Sequence, residues 1–231
     1  IDYLKFYYYV GGMPEAVETY VETKDFDEVR AVQNRLLMAY ENDLSKHAPA
    51  EIVTKTRMVW NSIPTQLSRE NKKFVYGLVR EGARAREYEV AITWLVDVGL
   101  VYKVGRANKP DFPLRAYQDF SAFKMFVLDI GLLGAMARLN KRILLDGDRL
   151  FEEFKGALTE QYVLQQLIVY EENDIFYWSA ERGTGEIDFL VQMDDKIIPI
   201  EVKAEENLQA KSLRSFVQKY NMKYAVRTSM S

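Results

Sequence analysis

Cysteine is absent from the sequence and histidine occurs once. A disulfide framework and a cysteine-held zinc site are therefore excluded, and any metal would have to be held by carboxylates. His47 has no second histidine or cysteine to share a metal with, so it reads as a surface or structural residue. Long apolar runs are also missing. The longest uncharged stretch is Met58 to Ser68, whereas a membrane-spanning helix needs about 20 apolar residues. No basic-then-apolar leader with a small-residue cleavage site is found, so the expected location is the cytoplasm. No glycine is followed by lysine, which rules out a Walker A loop and an ATP site within this chain. A nucleophile elbow is lacking as well, which leaves a serine hydrolase without support. There is no basic excess, since 31 Lys+Arg stand against 34 Asp+Glu. That balance argues against a protein that coats nucleic acid indiscriminately.

What is present is an ordinary globular composition, 48% hydrophobic and 13% aromatic over 231 residues. One large domain or two small ones fit that length. The chain opens on Ile1 and ends just after an apparent strand, as expected of a piece of a longer protein truncated at its C-terminus. The near-zero net charge hides a segregation. Residues 1–54 carry 5 basic and 10 acidic side chains, residues 55–106 carry 10 and 5, and residues 151–231 carry 9 and 14. Because exposed charges more than about 10 Å apart are screened at 0.1 M salt, the middle segment can attract an anionic polymer by itself.

Residues 1–106 read as a helical, winged-helix-like region. The aromatic run Tyr3 to Tyr9 is broken by Gly11-Gly12-Met13-Pro14. Asp27 is placed to cap a helix reaching about Asn42, with Val29, Val32, Leu36, Leu37 and Tyr40 on one stripe. Further helices are expected over Glu51–Leu67, with Pro64 bending or ending the first, and over Ala85–Val98, with Gly99 as C-cap and a strand from Leu100 to Val104. Helices followed by a β wing dock on DNA or on proteins. The basic residues Arg69, Lys72, Lys73, Arg84 and Arg86 are the candidate nucleic-acid contacts. Residues 107–150 read as a connector with a strand (Phe123–Asp129) and a helix (Ile130–Leu139).

Residues 151–231 change to an α-β-β-β-α-β rhythm: a helix from Phe151 to about Tyr170, strands at Ile175–Ser179, Glu186–Met193 and Ile197–Lys203, a helix from about Gln209 to Tyr220, and a strand at Lys223–Arg227. A two-residue turn at Asp194-Asp195 fixes the middle pairing, with Met193 facing Lys196. Asp188 then lies opposite Glu201 and Glu186 opposite Lys203. On the other face, Ile187, Phe189 and Val191 meet Val202, Ile200 and Ile198 as a core. Two carboxylates so close across a sheet cost energy unless a cation lies between them. Mg²⁺ (or Mn²⁺) suits hard oxygen ligands and binds through one or two carboxylates plus substrate phosphate. Lys203 emerges beside Glu201, and Glu160 on the preceding helix is a third candidate ligand.

Glu186-Ile187-Asp188 followed by Ile200-Glu201-Val202-Lys203 resembles the core of PD-(D/E)XK nuclease-like domains, whose restriction-endonuclease-like αβββαβ fold the third region would share. The resemblance implies Asp188 and Glu201 as metal ligands, Lys203 as catalytic lysine and Glu160 as the helix acid; Ile187 stands where the family's proline would. Gly11-Gly12-Met13-Pro14-Glu15, Asn42-Asp43-Leu44-Ser45-Lys46, Trp94-Leu95 with Gly99-Leu100, and Phe123-Lys124 with Asp129-Ile130-Gly131-Leu132-Leu133 resemble a prokaryotic domain of unknown function that typically follows an AAA+-type ATPase module. The implied fold class is mixed α+β. Three functions are expected to compete: a Mg²⁺-dependent nuclease acting on DNA or RNA, an inactive DNA- or protein-binding regulator of that ATPase, and an oligomerisation module using the aromatic Tyr3–Tyr9 region. A lysine or arginine neutralising Asp188 or Glu201 would favour the second.

Overall fold

The structure, a computed structural model, describes residues 2–141, 152–170, 174–181, 185–204 and 211–229. Helices α1 (Asp2–Val10), α2 (Pro14–Thr23), α3 (Phe26–His47), α4 (Ala50–Leu67) and α5 (Ala85–Asp97) come first. Strands β1 (Val101–Ala107) and β2 (Gln118–Val127), helices α6 (Ile130–Met136) and α7 (Glu152–Leu167), strands β3 (Asp174–Ser179), β4 (Glu186–Met193) and β5 (Lys196–Lys203), helix α8 (Lys211–Tyr220) and strand β6 (Val226–Ser229) follow. The architecture is mixed α+β: a helical N-terminal region, then a six-stranded mixed sheet in the order β2-β1-β3-β4-β5-β6. Phe151, Gln209 and Ala210, expected inside helices, lie outside the described residues. No helix among the described residues is long and apolar enough to cross a membrane.

The chain divides into two compact units, residues 1–102 with 125–161 and residues 103–124 with 162–231. In the first, the break after the aromatic helix has a specific cause. Gly11 adopts φ +75°, and a β-carbon there would run into the Asp129 carboxylate. That carboxylate accepts from the Gly12 amide (2.7 Å, Oδ2) and from the Leu132 amide (3.0 Å, Oδ1), so one side chain ties the glycine turn to the N-terminus of α6. Tyr8 and Tyr9 are buried, Phe6 and Tyr7 are half-buried and Tyr3 is exposed, so the aromatic run is core at its C-terminal end. Helix α3 starts two residues before its expected cap: Asp25 is the N-cap, its Oδ1 accepting from the Asp27 amide, and the helix runs on to His47, which is exposed in the last turn. Gly99, at φ +75°, ends α5 as expected, with the Leu100 amide bonding back to Leu95.

In the second unit, β1 pairs in parallel with β3 through Gly105↔Phe176 and Arg106↔Tyr177. The strand expected as a free wing is thus built into the large sheet. Antiparallel β3–β4 and β4–β5 and parallel β5–β6 complete it. Phe176, Trp178, Ile187, Leu190, Leu213 and Phe216 form a buried cluster under α8.

Asp129→Ala removes both the α6 N-cap and the partner of Gly12, so it should destabilise the chain by about 2 kcal/mol. Asp129→Asn, which keeps one acceptor, should cost less. Urea midpoints at unchanged m-value measure both, and equal midpoints for Asp129→Ala and the unaltered chain would remove the double-cap assignment.

Candidate active site

The β4–β5 hairpin follows the register set by its two-residue turn from Met193↔Lys196 to Phe189↔Ile200. There the paired run stops, one step short of Asp188 and Glu201. The reason lies on the other side of β4. Phe176 pairs with Leu190 but Trp178 pairs with Ile187, so β4 advances three residues while β3 advances two. The extra residue falls at Asp188–Phe189, a β-bulge. It corrects the expected common face of Ile187, Phe189 and Val191, because Ile187 joins Leu190 and Trp178 in the cluster beneath α8. Phe189 and Val191 are buried apart from that cluster. Asp188 is freed from strict alternation, and its Oδ2 accepts from the Val202 amide at 2.7 Å, where a ladder carbonyl would otherwise bond.

Glu201 is 3% exposed. Its Oε1 lies 3.3 Å from Lys203 Nζ, while its Oε2 is buried with no hydrogen-bond partner among the described residues. Leaving a buried acceptor unsatisfied costs about 1–3 kcal/mol, and more for a charged group. Glu186, expected across from Lys203, is instead ion-paired with Lys124 at 2.5 Å, and the same ammonium lies 4.0 Å from Asp188 Oδ1. Lys124 is fully buried on β2 and 5.1 Å from the Tyr177 ring centre. Burial pushes the Tyr177 hydroxyl up to about 12, with the Lys124 charge acting the other way. The sequence named Lys124 only as part of the Phe123-Lys124 motif and gave it no site role; the signal was a lysine set inside the apolar strand Phe123-Lys124-Met125-Phe126-Val127.

Two residues assigned to different tasks from the sequence meet in the first unit. Lys72 Nζ donates to Glu160 Oε1 at 2.7 Å, and both side chains are buried. Lys72 therefore does not present its charge to solvent, and a phosphate could reach it only by displacing Glu160. Arg69, Arg84 and Arg86 are exposed and Lys73 is half-buried, spread over the segment from the end of α4 to the first turn of α5. The Arg84 amide, bonded to Glu87, holds that carboxyl below its ordinary value. Among the described residues, no three Asp, Glu or His side chains gather into a metal-holding group. Asp188 and Glu201 lie on adjacent strands, Asp188 with Lys124 Nζ 4.0 Å from its Oδ1 and Glu201 with Lys203 Nζ 3.3 Å from its Oε1. The unsatisfied Glu201 oxygen fits a hard divalent cation that keeps several waters of its own.

Removing one partner of a buried ion pair leaves an uncompensated charge, at a cost of about 3–5 kcal/mol. Lys72→Met should therefore lower stability by about 3 kcal/mol, and the double change Lys72→Met with Glu160→Leu should recover most of it. Thermal and urea unfolding of Lys72→Met, Glu160→Leu and the double variant provide the check. Simple additivity of the two single changes would show that the pair is not coupled.

Residues 155–231 match the domain of unknown function DUF4143, which commonly follows AAA ATPase domains. No curated protein and no solved structure matches the chain. Residues 1–142, more than half of the sequence, match the domain of unknown function DUF8612, and the chain belongs to that family.

Proposed function

We propose that this chain is the nuclease-like C-terminal portion of an AAA+-type ATPase, in which Asp188, Glu201 and Lys203 form a Mg²⁺- or Mn²⁺-dependent centre that hydrolyses phosphodiesters of DNA or RNA. The observation that carries this reading is Glu201: a carboxylate 3% exposed, with one oxygen beside Lys203 and the other without a partner. A cation supplies the interaction that oxygen lacks. Asp188 Oδ2 accepts from the Val202 amide, which orients the carboxyl group, and its Oδ1 lies 4.0 Å from Lys124 Nζ, so a cation there would share that oxygen with the ammonium. A divalent ion held there would act as a Lewis acid on a phosphoryl oxygen. Lys203, half-buried, keeps its ammonium next to Glu201 and can hold a phosphate oxygen or orient the attacking water. The PD-(D/E)XK and winged-helix likenesses in the sequence agree with this reading, and the exposed basic residues Arg69, Arg84 and Arg86 with Lys73 suit contact with a phosphate backbone.

A second reading has its own support. Lys124 lies beside Asp188 and Glu186, and Lys72 takes Glu160, so lysines already balance much of the acid. On that reading the chain is an inactive DNA- or protein-binding regulator of the ATPase.

Incubated with end-labelled DNA and RNA, the protein should cut in Mg²⁺ and stop in EDTA. Asp188→Ala, Glu201→Gln and Lys203→Ala should each slow cutting by about 100-fold or more, measured at a temperature where circular dichroism shows each variant folded. Equal rates in all four proteins would mean a contaminating nuclease. Under the second reading, binding occurs without turnover. Changing Arg69, Lys73, Arg84 and Arg86 to Gln should then flatten the dependence of log K on log salt by about 0.9 for each phosphate no longer neutralised. An unaltered slope would move the nucleic-acid surface elsewhere.

A further inference from the structure

A second unsatisfied group stands next to Glu201. Strands β5 and β6 run parallel with Glu201↔Arg227, Val202↔Thr228 and Lys203↔Ser229 in register. Register partners on neighbouring strands project from the same face, and successive residues alternate. Arg227 is therefore on the Glu201 face, while Thr228 is not. Arg227 is partly buried, and its Nε is enclosed without a hydrogen-bond partner. A carboxylate oxygen and a guanidinium nitrogen of opposite charge thus sit on register partners about 4.8 Å apart at the backbone, and neither atom has a hydrogen-bond partner among the described residues. Glu201 uses its other oxygen on Lys203 instead. Direct pairing would satisfy both charges, so a structure that leaves both open suits a ligand that comes between them. Such a ligand needs a positive part for Glu201 and an anionic part for Arg227. A phosphate group carrying a divalent cation has both.

We infer that Arg227 is a phosphate-binding residue, its guanidinium fork gripping two non-bridging oxygens of a phosphate whose cation is held by Glu201. The assignment rests on the metal-centre reading above and extends it to the substrate's phosphate. Arginine suits the task because its planar fork matches phosphate bidentately, whereas lysine offers a point charge. Lys203, two residues along β5 on the same face as Glu201, adds a second positive charge for the same phosphate.

The test uses the whole chain and probes that need no turnover. Titration calorimetry measures Mn²⁺ alone, then inorganic phosphate and pyrophosphate at saturating Mn²⁺. Fluorescence anisotropy follows a labelled oligonucleotide in Ca²⁺. Arg227→Gln and Arg227→Lys should each weaken phosphate binding by about 10-fold or more while leaving Mn²⁺ affinity unchanged. Glu201→Gln should weaken Mn²⁺ itself. Should Arg227→Gln fail to fold, Arg227→Lys carries the test. Wild-type phosphate affinity in Arg227→Lys, or no phosphate binding by the unaltered chain, would overturn the assignment. Loss of phosphate binding in the variants, with no cleavage by any of the proteins, would keep Arg227 as an anion site and remove the nuclease reading.

Discussion

One extra residue in β4 sets the geometry on which the candidate site depends. A strand that kept strict alternation would carry Ile187 to the face opposite Leu190 and hold Asp188 at a fixed position over β5. The bulge at Asp188–Phe189 instead returns Ile187 to the cluster with Trp178 and Phe216. The apolar face under α8 is thereby kept continuous through the irregularity. The same distortion ends the β4–β5 ladder at Phe189↔Ile200 and lets the Asp188 carboxylate take over the Val202 amide. Bulges re-aim side chains and terminate pairing next to functional sites. Here both effects fall on the residue that the sequence singled out as a metal ligand.

Buried charge is the second organising feature. Lys72 and Glu160 form an ion pair removed from solvent, and the fully buried Lys124 pairs with the partly exposed Glu186. Such pairs seldom add net stability over an apolar substitute, but breaking one is costly, so they hold particular elements in particular places. Lys72 ties the segment after α4 to α7, and Lys124 ties β2 to β4. Glu201 and Arg227 differ from these pairs. Each is adjacent to an opposite charge and each keeps an atom unsatisfied.

Much of the local structure was legible in the sequence because its causes are local. The turn at Asp194-Asp195 and the alternation on either side determine the hairpin register, which holds as far as Phe189↔Ile200. Gly99 marks the end of α5 because only a residue tolerant of positive φ ends a helix that way at little cost. The cap of α3 was misplaced by two residues, from Asp25 to Asp27, because both acids suit a helix start and only the backbone decides between them. Asp129 read as the end of a strand. Its bond to Gly12, more than a hundred positions away in the chain, has no local signature.

The sequence by itself determined that no cysteine can hold a metal, that no glycine precedes a lysine as a Walker A loop requires, and that Asp188, Glu201 and Lys203 lie on two strands of one hairpin. These follow from residue type and from periodicities of two and 3.6, which act over a few neighbours. Tertiary structure decided which charges are paired and which remain open. A bulge in β4 depends on its pairing with β3, Lys72 meets Glu160 across 88 positions of sequence, and Arg227 reaches the site only through the parallel pairing of β5 with β6. Pairing between distant segments depends on which surfaces are buried together, and that is a property of the folded chain rather than of any stretch within it.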